Sequence, residues 1–249
     1  MTTNLELRGV AAGYSEVIVN NIDFVANANE VLAIVGVNGA GKSTILKAIV
    51  GGSRVHEGNV LLNGNDVTGL AGDQLAKLGI GYVPQSNDVF PGLTVTENLR
   101  MGGFLLHRRD VAPRIEKMLE RFPQLLPKRT TSAEKLSGGE RKQLAIARAL
   151  MAEPTVLLLD EPTSNLSPNV AENLLFDWVR ELANEGRCIV VVEQRVEMVL
   201  EAADRACLIG GGAMQRVAGA KEILEVVRTQ GLLGEESETA AREAKLDTW

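Results

Sequence analysis

The 249-residue sequence has few residues of the kinds that build disulfides, metal clusters or redox centres. Its two cysteines, Cys188 and Cys207, lie in apolar runs, which favours two small buried side chains over a disulfide or a metal pair. The two histidines, His56 and His107, lie far apart and have no ligand-type spacing to cysteine or carboxylate residues. We therefore assign no metal or redox chemistry to these four residues.

Long apolar runs and a basic excess are also absent. No stretch approaches the roughly 18 uninterrupted apolar residues of a membrane-spanning helix. The N-terminus has no basic segment followed by an apolar one, as a secretory signal would have. A net charge of −6 argues against general binding to nucleic acid. We expect a cytoplasmic protein that serves any membrane process through its partners.

The residues that are present suit a globular protein, since 45% are hydrophobic and 23% are charged. Short β-like runs at Leu5–Val10, Val17–Val25 and Val31–Val35 predict a partly antiparallel sheet. The third run ends at Gly36, and a helical pattern starts near Lys42. Strand, loop and helix in this order predict the beginning of a parallel α/β unit.

A middle section, from about residue 87 to 151, has helical periodicity interrupted by Pro113 and other prolines. We interpret it as a helical subdomain inserted in the core. Continuous apolar runs follow at Val156–Leu159 and Cys188–Val192, and such runs are typical of strands buried on both faces. The predicted divisions of the chain are a single α/β domain over 1–234 and a charged C-terminal tail over 235–249.

The segment that runs from Gly36 to Thr44 fits the pattern of a phosphate-binding loop. Its glycines let backbone N–H groups approach phosphate oxygens, and the following helix presents its positive end to the same anion. Lys42 would supply charge to the β- and γ-phosphates of ATP, and we therefore predict a catalytic as well as a binding role for it. The Ser43 hydroxyl would complete the coordination of Mg²⁺. The predicted ATP-binding residues of this loop are Asn38, Gly39, Ala40, Gly41, Lys42, Ser43 and Thr44.

Two acids, Asp160 and Glu161, directly follow the apolar run Val156–Leu159. A buried strand would deliver Asp160 to its tip, where the carboxylate could hold Mg²⁺ through its water shell. Glu161 could then reach a water aligned with the γ-phosphate. Alone, the pattern marks only a strand end. Together with the phosphate loop, it predicts an ATP-hydrolysing site.

The segment Leu136–Arg141 precedes a strongly periodic helix. Ser137 is a candidate N-cap, and Gly138 and Gly139 expose backbone amides at the helix start. A capped helix start is the simplest interpretation, but such a start also binds anions. Because one ATP does not need two phosphate loops of the same chain, we expect this segment to close over nucleotide held by a different chain.

With these motifs in this order, the sequence resembles the ABC (ATP-binding cassette) ATPase family over roughly Leu5 to Leu233. The resemblance implies a P-loop NTPase (RecA-like) α/β core with an antiparallel β subdomain and a helical signature subdomain. It implies that Tyr14 stacks on adenine and that Gln85 links the Mg²⁺ site to a transmembrane partner. The residues implied to contact the γ-phosphate across a dimer are Ser137, Gly138 and Gly139.

A closer similarity is to the ATP-binding subunits of branched-chain amino-acid uptake systems, whose relatives handle amides and urea. Gly79–Gln85, Val89–Leu99 and Val191–Gln194 carry this likeness. It implies three kinds of partner: a second ATPase subunit, identical or different; transmembrane permease subunits; and, indirectly, an extracytoplasmic solute-binding protein. The chain would then lie on the inner face of the membrane.

Two positions depart from the broad family. Gln194 stands where most members have a histidine, and Ser167 stands where an aspartate is usual in the loop Ser164–Ser167. The uptake group resembles this chain in both respects, so we expect a working site in which Gln194 helps Glu161. Because the glutamine amide cannot take up a proton and become positively charged near neutral pH, we expect slower turnover than with histidine.

Two other functions compete with membrane transport as interpretations of the same motifs. A soluble ABC ATPase that acts with a non-membrane assembly complex would carry the same ATP motifs, so it stays open. A DNA-acting member would need hundreds of residues of coiled coil between the phosphate loop and Ser137, and only roughly one hundred residues separate them. Nucleic acid is therefore not an expected partner.

Overall fold

The computed structural model describes residues 4–230. The strands in this part of the chain are β1 (Asn4–Gly13), β2 (Val17–Asn27), β3 (Glu30–Gly36), β4 (Arg54–Leu62), β5 (Asn65–Asp66), β6 (Ile80–Val83), β7 (Val156–Asp160), β8 (Cys188–Val192), β9 (Arg205–Gly210) and β10 (Ala213–Gly219). They form one sheet in the order β5-β4-β1-β2-β10-β9-β3-β8-β7-β6. All of the predicted strands are present.

The helices of the described residues pack on both faces of this sheet. They are α1 (Lys42–Ile49), α2 (Gly72–Lys77), α3 (Val95–Gly102), α4 (Arg108–Arg121), α5 (Gly138–Leu150), α6 (Pro168–Asn173), α7 (Arg180–Asn184), α8 (Val196–Ala202) and α9 (Ala220–Gln230). A π-helical turn, Leu174–Val179, joins α6 to α7. Short 3₁₀ turns lie at Leu126–Lys128 and Ala133–Lys135. No helix within residues 4–230 has the length and apolarity needed to cross a membrane.

The sheet has two halves of different character. β6, β7, β8, β3 and β9 pair in parallel. β1 pairs antiparallel with β2 and β4, and β4 with β5, which is the antiparallel β subdomain that was predicted. β10 links the halves, because it pairs antiparallel with β9 and, at one point, in parallel with β2. The predicted α/β fold class is confirmed.

The central parallel strands are buried because both of their faces are covered. Val31, Ala33 and Val35 of β3 belong to the core on the side of α4, α5 and α7. Leu32 and Ile34, the residues between them, belong to the second core, against α1 and the antiparallel strands. β7 and β8 alternate in the same way. Since both faces are apolar, the sequence shows continuous runs instead of an alternating pattern.

The prediction that Pro113 interrupts the helical pattern is wrong, because this proline lies inside α4. An interior proline costs a helix about 3 kcal/mol. Ile115, Met118 and Leu119 of the same helix are at most 3% exposed. Burial of each such side chain contributes roughly 1.5–3 kcal/mol, so tertiary packing outweighs the local cost.

Two further predictions concern the cysteines and the end of the chain. Cys188 and Cys207 are free and buried, as expected from their apolar neighbours. The predicted charged tail, 235–249, lies outside the described residues. The helices α3, α4 and α5 fall within the range predicted as a helical subdomain, 87–151.

The parallel half of the sheet gathers the functional motifs. The phosphate loop follows β3, Gln85 lies just after β6, Asp160 ends β7, and Gln194 lies just after β8. Parallel strands bring their carboxyl ends to one edge of the sheet, where ligands bind in open α/β folds. Residues that are more than 100 positions apart in sequence therefore meet at this edge.

Candidate functional site

The loop between β3 and α1 presents an uncapped helix start. Gly41 occupies the N-cap position in the left-handed region, with φ +91°, and α1 has no side-chain cap. A Cβ at Gly41 would lie 2.2 Å from Cγ1 of Val19, so this position requires glycine for both conformation and space. The first N–H groups of α1 are thus left for an external acceptor, and the helix dipole favours an anion there.

Lys42 is 5% exposed, and its ammonium lies inside the loop. Its Nζ donates hydrogen bonds to the carbonyl oxygens of Gly36 at 2.8 Å and Val37 at 3.0 Å. Burial lowers the pKa of Lys42, and the nearby carboxylates of Glu161 and Asp160 oppose that shift. The carbonyls of Gly36 and Val37 hold the Lys42 ammonium within the loop. The ammonium is therefore placed to bind an anion that the loop surrounds.

Ser43 and Asp160 meet at the start of α1. The Ser43 hydroxyl donates to Oδ1 of Asp160 at 2.8 Å, and the Tyr82 hydroxyl donates to Oδ2 at 3.2 Å. Asp160 is 2% exposed. Burial, and next the negative charge of Asp160, raise the pKa of Tyr82, so Tyr82 stays a donor. The pair offers hydroxyl and carboxylate oxygens, the ligands that Mg²⁺ prefers.

Glu161 lies one residue beyond Asp160 in a left-handed conformation, with φ +45°, which is uncommon for a residue with a side chain. Its backbone N–H donates to the carbonyl of Val192 at 2.8 Å. Two amides hold its carboxylate: Gln194 donates from Nε2 to Oε1 at 2.7 Å, and Gln85 donates to Oε2. The structure therefore brings three predicted site residues from three strand ends into direct contact.

Tyr14 lies at the outer side of the same region. Its ring is 50% exposed, and its hydroxyl accepts a hydrogen bond from Lys47 at 3.2 Å. It lines a cleft of about 370 Å³ together with Ser43, Tyr82 and Gln85. An exposed ring at the mouth of a cleft that leads to Ser43 suits stacking on a base.

The segment around Ser137 lies at a separate cleft. Ser137 is the N-cap of α5 and forms a capping box with Glu140, whose backbone N–H donates to the Ser137 hydroxyl at 3.3 Å. Ser137, Gly138 and Gly139 line a cavity of about 470 Å³, with the loop Asn165–Ser167 on its other side. This cavity shares no lining residue with the cleft at Tyr14. The structure thus does not bring Ser137 to the phosphate loop of its own chain.

Several residues at these sites were not found by sequence reasoning. Glu193 is 1% exposed and accepts the backbone N–H of Thr163 at 2.7 Å. Lys142 and Asp88 form a buried ion pair at 2.7 Å that joins α5 to the loop after β6. Glu193 had a usable signal, since an acid at the end of an apolar strand is also the pattern of Asp160. The pair between Lys142 and Asp88 had none.

The fold and the site define a P-loop ATPase, with a glycine-rich loop before α1, the adjacent carboxylates of Asp160 and Glu161, and the start of α5 at a separate cavity. The model of the ABC transporter family matches residues 19–164 of this chain. The chain belongs to the ABC transporter family. It is an ATP-binding subunit of the ABC ATPase type, whose ATP hydrolysis powers transport.

Two curated relatives are similar over most of their length. The chain is 43% identical to the probable branched-chain amino acid transport ATP-binding protein LivF of Archaeoglobus fulgidus, over 86% of this chain and 91% of that one. It is 37% identical to the high-affinity branched-chain amino acid transport ATP-binding protein BraG of Pseudomonas aeruginosa, over 78% and 82%. The predicted family is confirmed.

Solved structures of cassettes agree with this result. A nucleotide-free ATP-binding cassette from an ABC transporter superposes with a TM-score of 0.83 at 26% identity, covering 93% of this chain and 98% of that one. A dimeric cassette in a post-hydrolysis state, bound to ADP and Pi, superposes with a TM-score of 0.76 at 25% identity, covering 87% and 98%. The P-loop NTPase fold and nucleotide binding are therefore shown.

Proposed function

We propose that this ATPase powers a membrane importer for branched-chain amino acids or related small polar solutes such as amides and urea. The names of LivF and BraG, both described as branched-chain amino acid transport proteins, support the class of solute. Ser43, Asp160 and Glu161 lie together at one edge of the sheet, and this arrangement supports ATP hydrolysis by the chain. The solute itself would be selected by the partners, because the described clefts of this chain belong to nucleotide chemistry.

The triphosphate is held by the loop between β3 and α1. Backbone N–H groups of Asn38–Thr44 surround the phosphates, and the α1 dipole favours their charge. Lys42 then exchanges its carbonyl partners for β- and γ-phosphate oxygens, which are stronger, charged acceptors. Tyr14 covers the adenine at the open side of the cleft. These contacts hold ATP, and the charge of Lys42 also assists hydrolysis at the γ-phosphate, where Glu161 acts on the water.

Mg²⁺ fits the oxygen donors at the start of α1. Ser43 and Asp160 would hold it, with Gln85 close by on the loop after β6. No group of three or more His, Cys, Asp or Glu able to hold a metal occurs within residues 4–230. The two donors of Ser43 and Asp160 suit Mg²⁺, which usually binds one or two protein groups plus phosphates and waters. When bound, Mg²⁺ would neutralise charge on the β- and γ-phosphates.

Glu161 is the residue that acts on the attacking water. Its carboxylate lies beside the phosphate-binding residues, and the amides of Gln85 and Gln194 fix its orientation. A carboxylate so held can accept a hydrogen bond from a water and aim it in line with the γ-phosphate. Gln194 can also turn its NH₂ group to a phosphate oxygen. It would then help to keep the water and Glu161 aligned.

The helix start at Ser137 serves a second ATPase subunit, identical or different. It lies at a cavity separate from the phosphate loop of its own chain, so nucleotide would reach it from another chain. A dimeric solved cassette of the same fold supports this arrangement. Permease subunits would hold the pair at the inner face of the membrane, and an extracytoplasmic solute-binding protein would deliver the solute.

The complex extracted from native cells in detergent tests this proposal. Its intact mass should correspond to two ATPase subunits and membrane-embedded permease subunits. In liposomes with the matching binding protein, a branched-chain amino acid should stimulate ATP hydrolysis more than urea does. Recovery of the chain with water-soluble scaffold proteins alone would favour an assembly ATPase and refute the importer.

A further inference from the structure

Three consecutive residues after β8 contact three points of one loop. Glu193 accepts the backbone N–H of Thr163 at 2.7 Å, and Gln194 donates to the Glu161 carboxylate at 2.7 Å. Arg195 donates from a terminal nitrogen to the carbonyl of Leu166 at 2.7 Å. The loop 161–166 is thus held at its beginning, middle and end from a single strand end.

The far end of the same loop forms part of the second cavity. Leu166 is 7% exposed and packs at Gly138, where an added Cβ would lie 3.5 Å from the leucine Cδ2. Asn165 and Ser167 line that cavity with Ser137. One short loop therefore has the catalytic candidate Glu161 at one end and the partner-facing surface at the other.

Besides these side-chain contacts, the bond from the Glu161 N–H to the Val192 carbonyl and the burial of Thr163 and Leu166 hold the loop. Its internal backbone bonds are Ser164 N–H to the Glu161 carbonyl at 3.1 Å and Leu166 N–H to the Thr163 carbonyl at 3.2 Å. Both Glu161 and Asn165 are left-handed, at φ +45° and +60°. A backbone with two such residues persists only where its surroundings hold it. Glu193 and Arg195 supply part of those surroundings.

We propose that Glu193 and Arg195 are positioning residues that clamp the loop 161–166, so that the aim of Glu161 and the shape of the Ser137 cavity change together. The proposal rests on the proposed function. Within residues 4–230, neither side chain forms a hydrogen bond with the phosphate loop or with Tyr14. Loosening the clamp should therefore slow hydrolysis with little effect on ATP binding.

The test compares Arg195→Met and Arg195→Lys in the full chain assembled with its transporter partners. Arg195→Met keeps the length of the side chain but removes the donor to Leu166, and kcat should fall roughly tenfold with KM for ATP nearly unchanged. Arg195→Lys keeps a donor and should recover turnover to within about threefold of wild type. Glu193 also accepts the backbone N–H of Gln194 at 3.2 Å, so Glu193→Gln leaves one of two N–H groups without an acceptor and should lower kcat as Arg195→Met does.

Arg180→Met is the matched control, because Arg180 bonds Asp204 away from the loop. It should keep wild-type kcat. The clamp is refuted if Arg195→Met retains more than half of wild-type kcat, if the lysine variant loses as much as the methionine variant, or if ATP affinity falls in parallel. Wild type and Glu161→Gln are measured alongside. A wild-type complex that does not hydrolyse ATP would refute the proposed function instead.

Discussion

Two helices of this protein, α1 and α5, have starts that are predicted to bind phosphate, yet their first turns are built differently. α1 begins after Gly41 and has no side-chain cap, and its N–H groups lie beside Lys42 and Asp160. α5 begins after Ser137, whose capping box with Glu140 already satisfies two backbone donors. One helix start is therefore open and surrounded by reactive side chains. The other is stabilised within its own chain and lies at the surface.

The two helix starts also differ in the side chains that surround them. The residues predicted to hold ATP and Mg²⁺ and to act on the attacking water lie together near the α1 start. The α5 start offers the Gly138 N–H and the Ser137 hydroxyl. Glu140, Asp177 and Trp178 also line its cavity, but the residues of the phosphate loop do not. Lys128 bonds Glu140 at 2.6 Å, and this contact, ahead of the capping bonds, lowers the Glu140 pKa. Glu140 thus stays an acceptor for the Ser137 N–H, and α5 stays formed before any nucleotide arrives.

The largest effect is expected at the open helix start. Glu161→Gln should leave ATP affinity nearly intact while hydrolysis falls on the order of a thousandfold, or about 4 kcal/mol of barrier. Steady-state ATPase and equilibrium nucleotide binding check this in parallel. Because ATP persists, the closed dimer should accumulate. Turnover above a tenth of wild type would remove Glu161 from the catalytic role.

A second change separates folding from function at the capped helix start. Gly138→Asp should preserve or raise the melting temperature, because an acid in the first turn favours the helix dipole and the added Cβ meets nothing closer than 3.5 Å. Hydrolysis should nevertheless fall on the order of a hundredfold, as when one charge-stabilising donor is lost. ATP affinity of the dilute chain should not change. A large loss of that affinity would mean that both helix starts contact the same nucleotide.

A smaller effect is expected at the edge of the open site. Stacking on adenine contributes roughly 1–3 kcal/mol, so Tyr14→Ala should weaken ATP binding about tenfold. Tyr14→Phe should be nearly neutral. Binding of inorganic triphosphate is the control, since it lacks the base. Equal losses for ATP and triphosphate would show that Tyr14 only supports the surrounding strands.

The smallest change concerns Gln194. Histidine there can carry a proton, and glutamine offers only a neutral hydrogen bond, worth roughly 0.5–1.5 kcal/mol. Gln194→His should therefore raise turnover by up to about tenfold without changing ATP affinity. In the native complex, Glu161→Gln should cost less ATPase than the equivalent change in a partner subunit that has histidine. Equal costs would show that glutamine replaces histidine fully.

Local patterns predicted much of this molecule, and distant contacts explain what they missed. The run Val156–Leu159 followed by two acids is visible in sequence, because a strand buried on both faces must be apolar throughout. The local rule that proline ends a helix fails at Pro113, because the packing of α4 contributes more stability than the proline costs. Arg195 and Leu166 are 29 residues apart, and Lys142 and Asp88 are 54 apart. Such pairs have no local signature, so only the fold reveals them.

Hydrogen–deuterium exchange at the two helix starts tests the central claim most directly. The Glu161→Gln chain, saturated with ATP, would be measured first as a dilute isolated chain and then in its assembled complex. We predict slowed exchange at Gly41–Thr44 in both states, and at Gly138–Arg141 only in the complex. Protection of both segments in the dilute chain would contradict the account, as would an unprotected Gly138–Arg141 in the ATP-bound complex.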